Sequence, residues 1–521
     1  MKQGITTVLL CVIVVVLLTA CTNRNRPDEE DTSSITLEYA LANAQHRREN
    51  IVKPDYNALA PLADEIARQG YEWSHMWDEE EGEEILQLII QSLTPTTRAE
   101  SISYEAAIAD ANLLNILLRT NYGAYIFYGG DDIFEPLFDN IFDALAEQEE
   151  WDTRYDFEGF VGVLHNYLST VIADNHFLIG QRVLGAPVSE SEHIRSVTSD
   201  TYVGLTAFGR SEGGFYSTES GQYVVSAHGY ELDEIFRLSI NDMGQFSYIL
   251  TVTMPGRNEL EQYTLTLHFD NGQEEIMTLY RHEPTRRSFE APSLAWIDGF
   301  PVVRIMRKGF YPNQEEAREF LDFAPQLIDE PVVIIDVRSS IGGNGLLPGQ
   351  FLHRLLGETV STSSVILHLG NHQQAMDGLA AIPKDDPTYR PISDFMTYLP
   401  STPLGEWCFI FNYTPRRLVH NDQLIVFLTD RHTASAGETF IELALGMQNS
   451  LVIGQSTGGV SHKIGGPSFF LPNSGIAVSF GPGVSFYPEG LFAEGVGFAP
   501  DIWATGDALD AALAMLARNR E

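Results

Sequence analysis

The stretch LIVFLTDRHTASAGETFIELAL, residues 424–445, decides the fold. Its apolar run from Leu424 to Leu428 predicts a buried strand, and the pattern from Thr439 to Leu445 predicts a helix. Ser435 lies at the junction, at the N-terminus of that helix, where backbone N–H groups and the helix dipole favour developing negative charge. A serine at this point is a candidate nucleophile for acyl transfer, although it can also simply cap the helix.

Strand-like and helix-like segments alternate from residue 291 to the end of the chain. They are Val302 to Ile305, Ala317 to Phe323, Val332 to Ile335, Leu347 to Leu356, Leu424 to Leu428, Thr439 to Met447 and Leu451 to Ile453. The alternation predicts an α/β domain over residues 291–521 with a largely parallel sheet. Residues 336–343 and 431–438 each follow a buried strand, where open α/β sheets place their functional sites.

Two further regions precede this domain in a chain of 521 residues, which is long enough for two or three domains. Residues 50–185 are rich in helix formers with repeated apolar positions, and they predict a helical domain. Residues 186–290 alternate polar and apolar positions, with a turn at residues 270–272 that predicts a hairpin. The fold class is therefore α/β and α+β multidomain, with a small β-rich domain between the helical and the α/β domains.

The amino terminus has the composition of an export signal. Lys2 precedes an apolar stretch from Val8 to Leu18, which is short for a membrane span, and small residues lead to Cys21. This pattern resembles a bacterial lipoprotein signal, which implies a signal peptide over residues 1–20, lipidation of Cys21 and a lipidated tether over residues 21–49. We expect a protein outside the cytoplasm, lipid-anchored to the bacterial cell membrane. An ordinary signal peptide or an uncleaved anchor is the alternative.

Composition excludes several classes of function. A formal net charge of −39 opposes nucleic-acid binding, which needs a basic surface. The three cysteines, Cys11, Cys21 and Cys408, form neither a disulfide framework nor a zinc cluster. The glycine pairs lack the lysine of a phosphate loop. We therefore expect no metal and no cofactor.

Four segments, taken in order and spacing, resemble the carboxyl-terminal-processing and tricorn-type serine peptidases. They are residues 334–343, 433–438, 451–459 and 494–502, within a resemblance that covers roughly residues 291–521. The resemblance implies a serine peptidase that acts on peptides or proteins. Family members often carry a PDZ domain at the position of residues 186–290, but these residues lack a clear glycine-rich carboxylate-binding loop, so we do not expect a functional one.

The resemblance also assigns roles in the site, with departures. Where many members have a catalytic lysine this chain has Val460, and only Lys463 lies near enough in sequence to replace it. The tricorn-type branch takes a histidine from the end of the helical domain, next to a polar residue, and a glutamate ahead of the final Pro-Asp. In this chain those positions are His176, its neighbour Asn175, and Glu494.

We therefore expect Ser435 as the nucleophile, His176 as general base and acid, Glu494 as the orienting group and Asn175 as an assisting residue. From the residues alone, His176 could equally end a helix and bind carbonyl groups there. Lys463 and His462 are the alternative bases. His432 is less suitable because a side chain three residues before Ser435 is badly placed to face its hydroxyl.

The oxyanion hole needs two donors directed at one point. The N–H of Ala436 follows the nucleophile directly, and the resemblance assigns the second donor to the turn at Gly342 and Gly343. Ser340 and Ile341 depart from the usual residues of this turn. The expected function is an exported, membrane-anchored serine peptidase; the alternatives are a Ser435/Lys463 dyad peptidase and a non-catalytic peptide-binding surface lipoprotein. The sequence favours no particular oligomeric state.

Overall fold

The protein is described here by a computed structural model. It describes residues 35–54, 59, 61–62, 65, 68, 79–147, 154–184, 199–255, 260–282, 291–305, 314–370, 406–410, 416–466 and 468–520. The predicted signal peptide over residues 1–20 and the predicted lipidation site Cys21 lie outside these residues. Within the described part of the chain, no helix has both the length and the apolar character needed to cross a membrane.

The amino-terminal region is mainly helical. Its elements are α1 (Leu37–Glu49), α2 (Glu79–Ser92), β1 (Ser101–Ser103), α3 (Tyr104–Asn121), α4 (Asp131–Ala146), β2 (Arg154–Asp156), α5 (Phe157–Leu168), β3 (Asp174–Ile179) and β4 (Arg182–Leu184). Ser103 and Asp156 cap α3 and α5, because each side chain accepts a hydrogen bond from a backbone N–H in the first turn. The helices thus begin where polar capping residues precede apolar repeats.

Helix α1 corrects the prediction of a tether over residues 21–49. Its residues Ala40, Ala44 and Arg48, spaced four apart, are buried. The Arg48 guanidinium donates to the Asp501 carboxylate and to the Ser450 carbonyl, both at 2.6 Å. Residues 37–49 are therefore a helix docked on the carboxyl-terminal region. Sequence patterning missed it because two small residues and an ion-paired arginine form its buried face.

The middle region is β-rich. Its elements are β5 (Ser199–Val203), β6 (Phe208–Ser211), β7 (Gly214–Ser217), β8 (Val224–Ala227), α6 (Leu232–Ile235), β9 (Phe236–Ile240), β10 (Phe246–Pro255), β11 (Gln262–Phe269) and β12 (Glu274–Arg281). Strands β11 and β12 pair in antiparallel fashion across residues 270–273, so the predicted hairpin is confirmed. Gly272 has φ +83°, a conformation that favours glycine in such turns.

The carboxyl-terminal region alternates strands and helices, as predicted. Its elements are β13 (Ser293–Ile297), β14 (Phe300–Arg304), α7 (Gln314–Phe323), β15 (Val332–Asp336), α8 (Leu346–Leu356), β16 (Val365–Gly370), β17 (Glu406–Ile410), β18 (Leu424–Thr429), α9 (Ala436–Ala444), β19 (Ser450–Gly454), β20 (Ser468–Phe470), β21 (Ala477–Ser479), β22 (Gly483–Phe486), β23 (Ile502–Ala504) and α10 (Ala508–Arg518).

One large sheet crosses the expected boundary at residue 290. In the order β13-β14-β15-β18-β19-β23, every pair from β14 to β23 is parallel, which confirms the largely parallel sheet and the multidomain α/β fold class. Strand β23 then pairs in parallel with β9 of the middle region, and the sheet continues through antiparallel strands. The middle and carboxyl-terminal regions therefore share one sheet instead of packing as separate sheets.

The helical region is completed by strands from the other end of the chain. Strand β21 pairs with β3, with Val478 opposite Ile179. Phe177 of β3 stacks on Phe480 at 5.1 Å and meets the edge of Tyr122 at 5.1 Å between ring centroids. The core of the helical region thus includes residues of both chain ends. This packing fixes β3, and with it His176, against the carboxyl-terminal region.

Candidate active site

The candidate nucleophile lies where β18 turns into α9. Every residue of β18 is buried, so the strand delivers the following turn from the middle of the sheet. Ser435 is the N-cap residue of α9 and has φ 52° and ψ −120°, a conformation that residues with a side chain rarely adopt. Unusual backbone angles of this kind often mark functional positions. The turn presents the Ser435 hydroxyl at the N-terminus of the helix.

His176 meets this hydroxyl although 259 residues separate it from Ser435. Its Nε2 lies 3.1 Å from Ser435 Oγ, within the reach that a general base needs. Burial lowers the pKa of His176, and the nearby carboxylates of Asp174 and Glu438 oppose this effect. The imidazole is therefore neutral near pH 7, the form that can accept the hydroxyl proton.

Asp174, which the sequence analysis did not single out, holds the backbone beside this histidine. Its buried carboxylate accepts the His176 backbone N–H at 2.7 Å and the Tyr122 hydroxyl at 2.8 Å. Burial raises the pKa of Tyr122 well above its usual value, so the phenol remains a hydrogen-bond donor. An aspartate two residues before a histidine has no distinguishing pattern in the sequence. Only the folded contacts identify its role.

Glu494 was expected to orient His176, but no hydrogen bond joins their side chains in the described contacts. Glu494 Oε2 accepts the backbone N–H of His462 at 3.1 Å, and its buried Oε1 has no hydrogen-bond partner among the described residues. Burial raises the pKa of Glu494 to about 8. The backbone carbonyl of Lys463 lies next to the His176 ring and raises the pKa of the ring. Within the described residues, His176 Nδ1 makes no hydrogen bond of good geometry. Asn175 lies beside the histidine in β3 and is partly buried.

The alternative bases have other contacts. The Lys463 ammonium lies over the rings of Phe127 and Tyr128, at 5.7 Å and 5.6 Å from their centroids. The His462 ring meets the edge of Phe127 at 5.1 Å, and burial together with the Lys463 charge lowers its pKa to about 4. In the described contacts neither side chain is hydrogen-bonded to Ser435. Among the three candidates, the structure brings His176 to the nucleophile.

The expected oxyanion turn lies directly against Ser435. The Ala434 N–H donates to the Ser340 carbonyl at 2.8 Å, which joins the two turns. Gly342 and Gly343 have φ of +104° and +126°. A Cβ atom on Gly342 would lie only 2.5 Å from Ser435 Cβ, so the close approach requires glycine there.

Two backbone N–H groups are available near the nucleophile. Within the described part of the chain, the N–H groups of Ala436 and Gly342 have no protein acceptor. Donors that are free in the resting protein and lie at a helix N-terminus are suited to an oxyanion.

Arg431 holds the nucleophile turn to its surroundings and was not identified from the sequence. Its partly buried guanidinium donates to the carbonyls of Thr457, Val496, Gly495 and Ser199, at 2.8 to 2.9 Å. These carbonyls belong to three separate segments that converge behind Ser435. Burial lowers the pKa of Arg431, while the charge of Glu438 opposes this effect. A single cation therefore ties together the loops around the site.

Comparison with known proteins gives a family match and several distant structural similarities. Residues 303–504 match the family model described as Peptidase family S41. No curated protein matches the chain. Among solved structures, mature CPAF complexed with lactacystin is 12% identical, with a TM-score of 0.40, over 80% of this chain and 97% of that one.

Two other solved structures are similar at the same distant level. The photosystem II D1 C-terminal processing protease is 14% identical, with a TM-score of 0.34, over 77% of this chain and 93% of that one. The tricorn protease is 13% identical, with a TM-score of 0.31, over 80% of this chain and 37% of that one. The assignment rests on the family model, which covers the segment containing Ser435. Residues 303–504, which include Ser435, are therefore similar to peptidase family S41, the serine hydrolases that the sequence resembles.

Proposed function

We propose that this protein is an exported, membrane-anchored serine peptidase that cleaves peptide bonds with Ser435 as nucleophile and His176 as base. The observation that carries the proposal is the 3.1 Å separation of Ser435 Oγ and His176 Nε2 at the N-terminus of α9. A serine hydroxyl is a weak nucleophile at neutral pH, and a base at this distance activates it. The substrate class is a peptide or a protein.

In the proposed mechanism, Ser435 Oγ attacks the scissile carbonyl carbon while its proton passes to His176 Nε2. The carbonyl oxygen becomes negatively charged and accepts hydrogen bonds from the N–H groups of Ala436 and Gly342. The imidazolium returns its proton to the leaving amine as the C–N bond breaks, which leaves an acyl ester on Ser435. Water then attacks this ester and gives a proton to His176, which returns it to Ser435 Oγ as the C–O bond breaks and the carboxyl product leaves.

Asp174 supports the imidazolium that forms in each half of the reaction. Its carboxylate holds the His176 backbone N–H and raises the pKa of the ring. In this proposal Asp174 takes part of the role that the resemblance gives to Glu494. A carboxyl group with a pKa of about 8, such as Glu494, is largely protonated at neutral pH and supplies little negative charge.

Labelling with diisopropyl fluorophosphate, which modifies activated serines, tests the catalytic proposal. We expect the wild-type protein to be labelled at Ser435 and to hydrolyse fluorescent casein. Ser435→Ala should lose both properties, and His176→Ala should lose almost all of both. His462→Ala is the matched control because it removes a nearby imidazole that does not bond to Ser435. Labelling that survives His176→Ala, or casein binding without hydrolysis by the wild type, would contradict the proposal.

The amino-terminal sequence supports the location. Lys2, the apolar stretch from Val8 to Leu18 and the small residues before Cys21 form the pattern of a lipoprotein signal. We expect cells grown with radioactive palmitate to yield labelled protein in the membrane fraction. Cys21→Ser should abolish this label and release the protein from membranes, whereas Cys408→Ser should change neither. Wild-type protein without lipid would contradict the anchor and leave the catalytic proposal intact.

A further inference from the structure

Glu438, the third residue of α9, is a fully buried carboxylate at the centre of the nucleophile turn. Its two oxygen atoms accept hydrogen bonds from five groups. These are the backbone N–H of Ser435 at 3.1 Å, of Gly459 at 2.8 Å and of Val460 at 2.8 Å, together with the hydroxyls of Ser461 at 2.8 Å and Thr457. These hydrogen bonds compensate the buried carboxylate for its lost contact with water.

These contacts join two segments that are distant in sequence. One is the turn that presents Ser435, and the other is residues 457–461, which follow β19. Val460, at the position where many related peptidases carry a lysine, contributes its backbone N–H to Glu438. Glu438 therefore links the two segments, together with Arg431, which donates to the Thr457 carbonyl, and the Gly458 N–H, which donates to the Thr433 carbonyl.

We propose that Glu438 is a positioning residue that fixes the backbone of Ser435 and places a negative charge behind the Ser435–His176 pair. Ser435 has φ 52° and ψ −120°, and Glu438 accepts the N–H of this same residue. A backbone conformation that is rarely populated persists only when neighbouring contacts hold it. Glu438 supplies one such contact, while its other donors prevent the carboxylate from moving away.

The charge of Glu438 reaches His176 together with other groups. Burial lowers the pKa of His176, the carboxylates of Asp174 and Glu438 raise it, and the Lys463 ammonium lowers it. The charge of Glu438 also acts on Arg431, Glu494 and Tyr487, and it raises the pKa of each. When Ser435 transfers its proton, His176 becomes a cation, so a fixed negative charge nearby stabilises the transition state more than the resting state.

Glu438→Gln tests this inference because the amide has nearly the same shape but lacks the charge. The matched control is Glu442→Gln, one helical turn further along α9. Glu442 is also buried and accepts two backbone N–H groups, from Ser363 and Ser364, both at 2.8 Å. The control therefore replaces a second buried carboxyl group on the same helix, away from His176.

The measurements are the rate of diisopropyl fluorophosphate labelling and the kcat and KM for fluorescent casein across the acidic and neutral pH range. Glu438→Gln should lower both the labelling rate and kcat by about tenfold or more, with KM changed by less than about threefold. The acid limb of kcat/KM should move to lower pH, because a charge that raises the pKa of His176 is removed. Glu442→Gln should leave this limb in place.

The conservative variant Glu438→Asp keeps the charge on a shorter side chain. Its acid limb should coincide with that of the wild type even though kcat falls. An unchanged limb in Glu438→Gln, or an equal displacement in Glu442→Gln, would overturn the inference. If Glu438→Gln does not fold by circular dichroism, Ser461→Ala decides, since it removes one donor from the carboxylate. A fall in kcat of about threefold at unchanged KM supports the inference, and wild-type kcat overturns it.

This inference rests on the proposed function, but the two fail differently. A wild-type protein that is neither labelled at Ser435 nor able to cleave casein defeats the proposed function. An active wild type whose Glu438→Gln variant has the same rate and pH profile defeats only the role of Glu438.

Discussion

Replacing Gly342 with alanine should disable the nucleophile and leave the fold in place. The added Cβ would lie 2.5 Å from Ser435 Cβ, 2.9 Å from Ser435 Oγ and 3.1 Å from the Ala434 carbonyl oxygen. Carbon atoms in contact normally lie about 3.5 to 4.0 Å apart, so Ser435 must move by about 1 Å. Gly342 also has φ +104°, where a residue with a side chain costs roughly 1–3 kcal/mol.

A displacement of about 1 Å at a reacting atom lowers the rate by about 100-fold. We therefore expect the Gly342→Ala variant to cleave fluorescent casein with a kcat about 100-fold below that of the wild type, and to react with diisopropyl fluorophosphate correspondingly more slowly. Circular dichroism should show a folded protein with a somewhat lower midpoint of thermal unfolding, because the loss of stability is local to one turn.

Gly357→Ala is the matched control. Gly357 ends α8 with φ +73°, and a Cβ atom there would meet nothing within 4 Å. This variant carries a similar backbone penalty, roughly 1–2 kcal/mol, without approaching Ser435. It should lose stability and keep its kcat. If Gly342→Ala retains kcat within threefold of the wild type, or if both variants lose activity equally, the reasoning from the close contact is refuted.

Three further predictions concern the groups around His176. Asp174→Asn should lower kcat about tenfold and move the acid limb of kcat/KM to lower pH, because a charge that raises the pKa of His176 is lost. If the acid limb of the pH profile stays in place, the role of Asp174 is purely structural. Lys463→Met should keep at least about a third of the wild-type kcat because His176 holds the nucleophile; loss of turnover would favour the Ser435/Lys463 dyad. Glu494 has its pKa raised to about 8, so the folded protein holds a proton that the unfolded chain releases above pH 4.5, and the wild type loses stability as pH rises between these values. The Glu494→Gln variant has no such proton to lose. In urea unfolding between pH 4.5 and 8, the difference in free energy of unfolding between the variant and the wild type should therefore change in favour of the variant, by at most about 1.4 kcal/mol per pH unit. If the free energies of the two proteins depend on pH in the same way, the raised pKa of Glu494 is contradicted.

The spacing of apolar residues along the sequence predicted strands and helices of the carboxyl-terminal region correctly. The apolar run from Leu424 to Leu428 is β18, the segment after Ser435 is α9, and the alternation after residue 291 is a largely parallel sheet. The docking of α1 over residues 37–49 was missed because its fully buried residues are only Ala40, Ala44 and Arg48, and the leucines beside them, Leu37 and Leu41, are partly buried. An ion pair with Asp501 stabilises that face, and no periodicity in residues 37–49 indicates it.

The site was only partly visible in the sequence. The motif around residues 433–438 and the position of His176 led to the two groups that the structure places 3.1 Å apart. The contacts of Asp174 and Glu438 depend instead on which distant segments meet. Glu438 bonds to residues 19 to 23 positions away, and its motif does not indicate these partners. No pattern around Glu494 indicates that its carboxyl group accepts the backbone N–H of His462.

The interlocking of the helical region with β20 and β21 has a consequence for synthesis of the protein. Phe177, the neighbour of His176, packs against Phe480, and β3 gains its partner strand only when residues 477–479 are present. A nascent chain that ends before this point leaves an apolar face uncovered and His176 without firm support. We therefore expect that the segment holding His176 completes its packing only when the last tenth of the chain has been synthesised.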